Sequence, residues 1–525
     1  MWTRRNVLKS LGAGAATVSV PWTVQRVLAE AAPDLVLRLT AAADSARIWP
    51  GAETAVLRYA GEVVRGRAGA LRPSASYLGP TLELRRGERV RVEFHNDLDE
   101  PSVIHWHGML VPEEADGHPR FAIGPGGQYR YEFTVRNPAG TYLYHPHPHG
   151  RTGAQVYRGL AGLLIVREAE EAQWGLPGIE QELSLVLQDR RARDGARLAY
   201  APTMMDAMNG VLGDTVLVNG LSDAAFAVSR RPWRLRLANV SNARIYKLAW
   251  SDGRPMQVIA TDNGVLSAED GVQERPYVVL APFERIELVE DFGTRSGGTE
   301  VALISRAYGG IAMMEMMSDM MGRGDRSGGM MGGMMDRMMG GMMGAMMTGP
   351  AQGDELPLAR FRIEDGPRTA GRAPVLPSRR PWNPQPRHEL HTRLAFRHMR
   401  GLLNGRRFEM GAVAADERLP LGEATLWTFA NDGPGMAMPH PMHIHGVRFR
   451  VVERRGGDVP AALRDGLVDA GFKDTFLIFA GETVRVLLAP SEPGLFMYHC
   501  HNLEHEDGGM MRNCRFGTSA TAGPT

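Results

Sequence analysis

Ten of the sixteen histidines in this 525-residue chain fall into four short clusters, and eight of them form His-x-His pairs. The pairs are His105 and His107, His145 and His147, His443 and His445, and His499 and His501. Successive side chains leave a β-strand on opposite faces, whereas residues two apart share a face. Each pair therefore presents two imidazoles together, and the four pairs supply eight, enough for three metal ions. Imidazole serves copper, iron and zinc alike, so the pairs alone do not choose the metal. A solitary pair is more often loop chemistry or a zinc site.

Cys500 makes the choice. It stands between His499 and His501, so its thiol leaves the opposite face of that strand. There it can join His440, His505 and Met510. Two imidazoles, a thiolate and a weak thioether are the ligand inventory of a mononuclear blue-copper site. The run His499-Cys500-His501 then joins that site to the histidine cluster through consecutive residues. Thiolate-bound copper passes electrons singly, and a neighbouring cluster can collect four.

These residues need strands to aim them, and strand patterns dominate. Polar and apolar residues alternate through 89–94, 129–135, 233–237 and 482–487, which predicts antiparallel sheets with one wet face packed as sandwiches. No long amphipathic helix is evident. An internal repeat stands out: His105-Trp106-His107-Gly108 returns as His443-Ile444-His445-Gly446, and 140–147 returns without gaps as 494–501. The first and last thirds therefore read as related domains, and the middle third, lacking the pairs, spaces them. The expected domains are 34–168, 178–366 and 385–518, the last two joined by the Pro/Arg-rich run 366–387.

Composition excludes several classes. Two cysteines, Cys500 and Cys514, rule out a disulfide scaffold, and Cys514 reads as a small apolar strand residue. Sixty basic residues against 59 acidic ones give no field for nucleic acid or an anionic membrane. Only three of the basic residues are lysines, a matter of composition rather than function. Residues 1–31 carry Arg4-Arg5, a short apolar stretch from Leu11 to Val20, and Ala29-Glu30-Ala31. This is the pattern of a twin-arginine export signal, handled by the twin-arginine machinery and leading to the periplasm. The apolar stretch is too short for a bilayer span of about 20 residues, so no membrane span is expected in the mature chain.

On the paired histidines and the His-Cys-His run, the sequence resembles the three-domain multicopper oxidases, the family of laccases, ascorbate oxidases and bacterial cuprous oxidases. The resemblance implies an all-β fold of three cupredoxin-like Greek-key β-sandwich domains. It implies four copper ions: type 1 at His440, Cys500, His505 and Met510; type 2 at His105 and His443; and a type 3 pair at His107, His145, His147, His445, His499 and His501. It further implies that Asp116 and Glu506 relay protons to the cluster where dioxygen becomes water. The plainer reading is that both acids only orient ligand histidines. His95, His118, His149, His388, His391 and His398 have no such spacing and read as structural or surface residues.

Thirty methionines remain, sixteen of them between Met313 and Met347. From Met330 they run as doublets every four residues, mostly separated by glycine. They form a methionine-rich insertion, 312–348, in a hairpin of the middle domain. A docked amphipathic helix is one reading, but glycines cost it about 1 kcal/mol each against alanine. The other is a thioether-rich collector, since soft thioethers select Cu(I). Met436 and Met438, just ahead of His440, are candidate Cu(I) contacts, although Met436 stands where some relatives carry an acid. The expected activity is oxidation of Cu(I) with reduction of dioxygen, serving copper tolerance and homeostasis. The alternatives are a laccase-like oxidase of phenolic or other small organic reductants, a copper-sequestering protein without turnover, and a copper-free scaffold on the same fold.

Overall fold

The computed structural model describes residues 32–49, 51–193, 197–198, 200–309, 349–397, 400–433, 438–457 and 459–517. The leader 1–31, the insertion 312–348, Met436 and His398 lie outside them.

Three pairs of β-sheets follow one another along the described chain. In the first pair, one sheet runs Thr54–Arg65, Leu35–Ala46, Arg89–Asp97, Gln128–Thr134. Its companion runs Leu71–Arg72, Thr81–Arg85, Gly162–Arg167, Gly140–Pro146, Ile104–His105. Alternation in Arg89–Asp97 sends Val90, Val92 and Phe94 inward to pack with Leu37, Leu39 and Trp106. The last pair repeats this plan. One sheet runs Arg400–Leu403, His388–Arg397, Thr425–Ala430, Glu482–Leu488, Phe449–Gly456. The other runs Arg418–Pro420, Met511–Gly517, Gly494–Cys500, His440–Ile444, Thr475–Ile478, and Trp427, Phe476 and Tyr498 fill the space between the two sheets. The repeated histidine motifs thus occupy matching strands. Between the two lies a middle pair of sheets around Leu235, Trp250 and Phe361.

Two local expectations are corrected. The sheets are mixed rather than purely antiparallel: Leu35–Ala46 lies parallel to Arg89–Asp97, and His388–Arg397 parallel to Thr425–Ala430. The chain crosses to the facing sheet before it returns, so the neighbouring strand arrives in the same direction. The polar face of Pro232–Asn239 is not wet either. Arg234 and Arg236 are fully buried and pair with Glu182 and Glu287, and Arg236 also donates to Thr141 Oγ1 at 3.1 Å. The first sandwich covers that face, and guanidinium groups taken from water there must be paired.

Helices are short among the described residues, the longest being Thr152–Arg158, and no helix is long and apolar enough to cross a membrane. Glu300–Ser305 and Leu356–Ile363, the strands flanking the methionine-rich insertion, are antiparallel neighbours.

Candidate metal centre

Strand pairing brings the histidines face to face. Ile104–His105 meets Gly140–Pro146 with His105 opposite His145, and His440–Ile444 meets Gly494–Cys500 with His443 opposite His499. All eight imidazoles of the four pairs are buried. Rings from the first and last sandwiches stack at 3.8 Å, His107 on His443 and His105 on His445.

Their ring nitrogens converge in three sets. His105 Nε2 and His443 Nε2 are 3.4 Å apart. His107 Nδ1 lies 3.4 Å from His145 Nε2 and 3.2 Å from His501 Nε2. His499 Nε2 lies 3.3 Å from His147 Nε2 and 3.0 Å from His445 Nε2. Two nitrogens each about 2.0 Å from one ion, at right to trigonal angles, stand roughly 2.8–3.5 Å apart. The spacing fits a metal ion in each set.

The opposite nitrogens test that fit. His105 Nδ1 meets the Asp116 carbonyl at 2.6 Å, His443 Nδ1 the Asp474 carbonyl at 2.8 Å, and His145 Nδ1 the Pro146 carbonyl at 2.9 Å. His499 Nδ1 meets the Cys500 carbonyl at 3.1 Å, His445 Nδ1 meets Asp116 Oδ2 at 2.8 Å, and His107 Nε2 meets Asp474 Oδ1 at 3.1 Å. Carbonyl and carboxylate oxygens only accept, so each of these six nitrogens carries the ring proton. The converging nitrogens then face one another as bare lone pairs, an arrangement that a cation stabilises. Burial works in the same direction. It holds His105, His107, His443, His445 and His501 far below the ordinary imidazole range, with neighbouring imidazoles adding to it. It brings His145 to about 4 and His147 to about 3.

On the other side of the same strand, Cys500 Sγ lies 3.4 Å from His440 Nδ1 and 3.5 Å from His505 Nδ1. His505 belongs to the short helix Leu503–Asp507, which Asn502 starts by accepting from the Glu504 and His505 amides. Cys500 N donates to the Met510 carbonyl at 3.1 Å, and Met510 N to the His505 carbonyl at 2.9 Å. Met510 is fully buried, and its Sδ lies over Gly401, where an added Cβ would come within 2.7 Å of it. Burial pushes the Cys500 thiol well up, so a cation at this site is what would keep it a thiolate.

The two acids have opposite surroundings. Asp116 keeps one oxygen on His445 and leaves Oδ1 without a hydrogen bond, 3.7 Å from His105 Nδ1. Burial, with Glu113 nearby, raises its carboxyl well above the usual range. Glu506 lies 3.5 Å from His147 Nε2 and 3.3 Å from His499 Nδ1. Burial pushes it up, but the neighbouring His147 and His499 rings outweigh that and draw it below the usual carboxylate range.

Sequence reasoning missed Asp474. It is buried, it orients His107 and His443, and Arg285 grips both its oxygens at 2.7 and 2.6 Å. Gly108 leaves room for that pair, since a Cβ there would fall 2.3 Å from Asp474 Oδ2 and 2.6 Å from Arg285 Nη2. Phe283, in the left-handed region at φ 63°, stacks on His501 at 3.8 Å. Arg285 and Phe283 come from the middle region, which therefore buttresses the cluster as well as spacing its halves. Among the unassigned histidines, buried His118 meets Asn513 Oδ1 at 3.0 Å and His388 meets Glu423 at 3.0 Å, both structural contacts. Cys514 is buried in the last core.

Comparison with known proteins agrees with this inventory. Sequence profiles described as multicopper oxidase match residues 71–171 and 379–518. The chain is 28% identical over 439 residues to the multicopper oxidase mco of Staphylococcus haemolyticus, spanning 83% of this chain and 82% of that one. It is 30% identical over 444 residues to the cell division protein FtsP of Pectobacterium atrosepticum, spanning 82% of each. The crystal structure of the McoA multicopper oxidase from Aquifex aeolicus matches with a TM-score of 0.74 at 29% identity, over 92% of this chain and 96% of that one. The chain belongs to the multicopper oxidase family. It is an oxidoreductase that uses oxygen, with four coppers of types 1, 2 and 3 as its cofactors.

Proposed function

We propose that this oxidase is exported by the twin-arginine route and oxidises Cu(I) to Cu(II) in the periplasm, in the service of copper tolerance. The balance is four Cu(I), one dioxygen and four protons to four Cu(II) and two waters. In this reading His440, Cys500, His505 and Met510 hold the type 1 copper and His105 and His443 the type 2 copper. His107, His145 and His501 hold one type 3 copper, and His147, His445 and His499 the other. The bound coppers supply one-electron transfer at the first site and dioxygen reduction at the cluster.

The chain's own residues do the rest. Cys500 is the electron entry, and the peptide units to His499 and His501 carry the charge inward. Glu506, ionised beside His147 and His499, takes up protons and hands them on. Asp116 holds a proton on the other side of the cluster, against His105 and His445. Both acids also fix ring orientation, so the relay and orienting roles are combined.

One observation carries the Cu(I) assignment. Met438, two residues ahead of His440, is buried in a small cluster with Met208 and Phe396, and Phe396 lies 5.5 Å from the His505 ring. Thioether therefore lines the approach to a type 1 ligand, and thioether prefers Cu(I). The methionine-rich insertion and Met436 extend the same chemistry. A second reading, laccase-like oxidation of small organic reductants, draws on a relative from Ochrobactrum, a laccase-like CueO described as active towards lignin model compounds, with TM-score 0.71 at 28% identity over 92% of this chain and 97% of that one. Oxygen uptake by the copper-loaded enzyme with Cu(I) and with a phenol, with and without residues 313–347, separates them. Cu(I) turnover that depends on the segment is the expected result. Turnover of phenol alone would move the assignment to the laccase-like reading.

A further inference from the structure

The helix Leu503–Asp507 has only five residues, and its last four answer to different neighbours. Glu504 is buried and faces the middle region. Its Oε1 accepts from Asn242 Nδ2 at 2.8 Å and from Tyr200 Oη at 3.0 Å, and its Oε2 from the Val211 amide at 2.9 Å. His505 turns one nitrogen to Cys500 and the other to the Met208 carbonyl, near the end of the helix Met204–Asn209. Glu506 turns to His147 and His499. Asp507 reaches the first sandwich, where its two oxygens accept from the Thr152 and Gly153 amides, each at 2.9 Å. Glu504 and Asp507 are three apart and share a helix face, and they meet at Gly153. A Cβ on Gly153 would fall 2.4 Å from Tyr200 Oη and 3.0 Å from Asp507 Oδ2.

A helix this short has too few internal bonds to hold its own place. His505 has ties of its own, since its ring bonds the Met208 carbonyl and its carbonyl accepts from the Met510 amide at 2.9 Å. Glu506 has none. It is fully buried, and neither carboxyl oxygen has a hydrogen-bond partner among the described residues. Its place is therefore set through the backbone, by whatever holds the end of the helix. We infer that Asp507 is the positioning residue of Glu506, a deepening that rests on the proton role given to Glu506 above. By gripping the amides of Thr152 and Gly153, Asp507 docks the end of the helix just beyond His145 and His147 in the chain. That grip aims the Glu506 carboxyl at His147. Glu504, matched by three donors as a buried carboxylate requires, is the counter-anchor at the start of the helix. Adhesion between regions is the plainer role for Asp507. Adhesion alone would move the whole helix, His505 included, whereas a positioning role moves Glu506 and spares His505.

The test uses the full-length, copper-loaded enzyme. Asp507→Asn sets an amide group against two backbone donors. It is expected to lower turnover about tenfold, to enlarge the solvent isotope effect, and to speed hydrogen exchange of the Thr152 and Gly153 amides. The type 1 absorption and electron paramagnetic resonance spectra should stay as in the wild type. Gly153→Ala, which crowds Asp507 from the other side, is expected to act in the same direction and gives a second readout should Asp507→Asn fail to fold. Tyr200→Phe, which takes one donor from Glu504, shows how the type 1 spectra respond when the start of the helix is loosened. Unchanged turnover and isotope effect in Asp507→Asn would overturn the inference. So would a shift of its type 1 spectra, since the whole helix would then have moved. Full turnover with an ordinary isotope effect in Glu506→Gln would instead overturn the parent role of Glu506, and this assignment with it.

Discussion

The histidine cluster and the Cys500 site share one strand yet are built on opposite principles. In the cluster every imidazole is buried, and Asp116, Asp474 and backbone carbonyls tie most of the rings in place. Its donors come in pairs from the first and last sandwiches, and it has three acids at its edges, Asp116, Glu506 and Asp474. At the Cys500 site the rings are buried too, but one of them, His505, bonds a carbonyl of a helix whose first residue is largely in solvent. The cluster must admit dioxygen and protons while holding three ions rigidly. The other site must pass electrons in from outside. Rigidity is supplied by paired strands, and access by a borrowed helix.

The largest effect should come from cutting the link between them. Cys500→Ser removes the thiolate and the shared path, so dioxygen uptake should fall to background with every reductant while copper analysis still finds three ions. Uptake surviving near wild-type level would mean that electrons reach the cluster by another route. Next, Glu506→Gln keeps the shape of the carboxyl but not its charge. Turnover should drop about a hundredfold, with a larger solvent isotope effect and all four coppers retained. Full turnover would leave Glu506 only an orienting role. Asp474→Asn acts on the cluster alone: it weakens the anchor of His107 and leaves buried Arg285 short of a charge. Copper affinity at the cluster should fall about tenfold, with the type 1 absorption unchanged.

Acid should attack the copper-free chain before the loaded one. Burial, above all, holds His145 and His505 at about 4 and His147 at about 3, whereas unfolded histidine takes a proton near 6.5. Between those values the unfolded chain binds more protons, so stability rises with pH across the window and is lost as pH falls from about 6.5 towards 4. The unfolding midpoint of copper-free protein should fall over that range. Bound copper keeps the nitrogens deprotonated and should move the loss to lower pH. Equal acid sensitivity with and without copper would show that other groups dominate.

What could be read from the sequence follows the same division. Cluster and thiolate positions were legible because strand alternation is a local rule: His-x-His and His-Cys-His fix which face each side chain takes. The repeat of 140–147 as 494–501 then implied two matching strands. Asp474, Arg285 and Phe283 were not legible, because they reach the cluster from separate strands and loops and repeat no pattern. Asp474 had one faint mark, its neighbour Lys473, one of three lysines in the chain. Lys473 is buried and pairs with Asp262 at 3.0 Å and Glu284 at 3.1 Å, so that lysine is structural rather than an accident of composition. The charged alternation at Arg234 and Arg236 misled for a related reason. Alternation shows which face is polar, whereas burial of that face depends on a sandwich about a hundred residues away in sequence. The helix Met204–Asn209 is short, and its methionines at three- and four-residue spacing look like ordinary core until His505 is placed beside them.

The smallest predicted effect is also the most selective. Gly401 lies on the strand Arg400–Leu403, and a Cβ there would sit 2.6–2.7 Å from Met510 Cβ, Cγ and Sδ. Something must shift, and Met510 is fully buried with its backbone tied to both Cys500 and His505. The displacement therefore goes into the methionine side chain, whose thioether is the proposed weak axial donor. Axial interaction tunes the reduction potential of such sites, while the two imidazoles and the thiolate fix their identity. Gly401→Ala should keep four coppers and the intense type 1 absorption but change its electron paramagnetic resonance hyperfine coupling and raise its potential. Turnover with a strong reductant should change by no more than a few fold. An unaltered spectrum would mean that the strand yields instead of Met510. Loss of the type 1 ion would mean that the glycine protects the whole ligand set, and that this site is as rigid as the cluster it feeds.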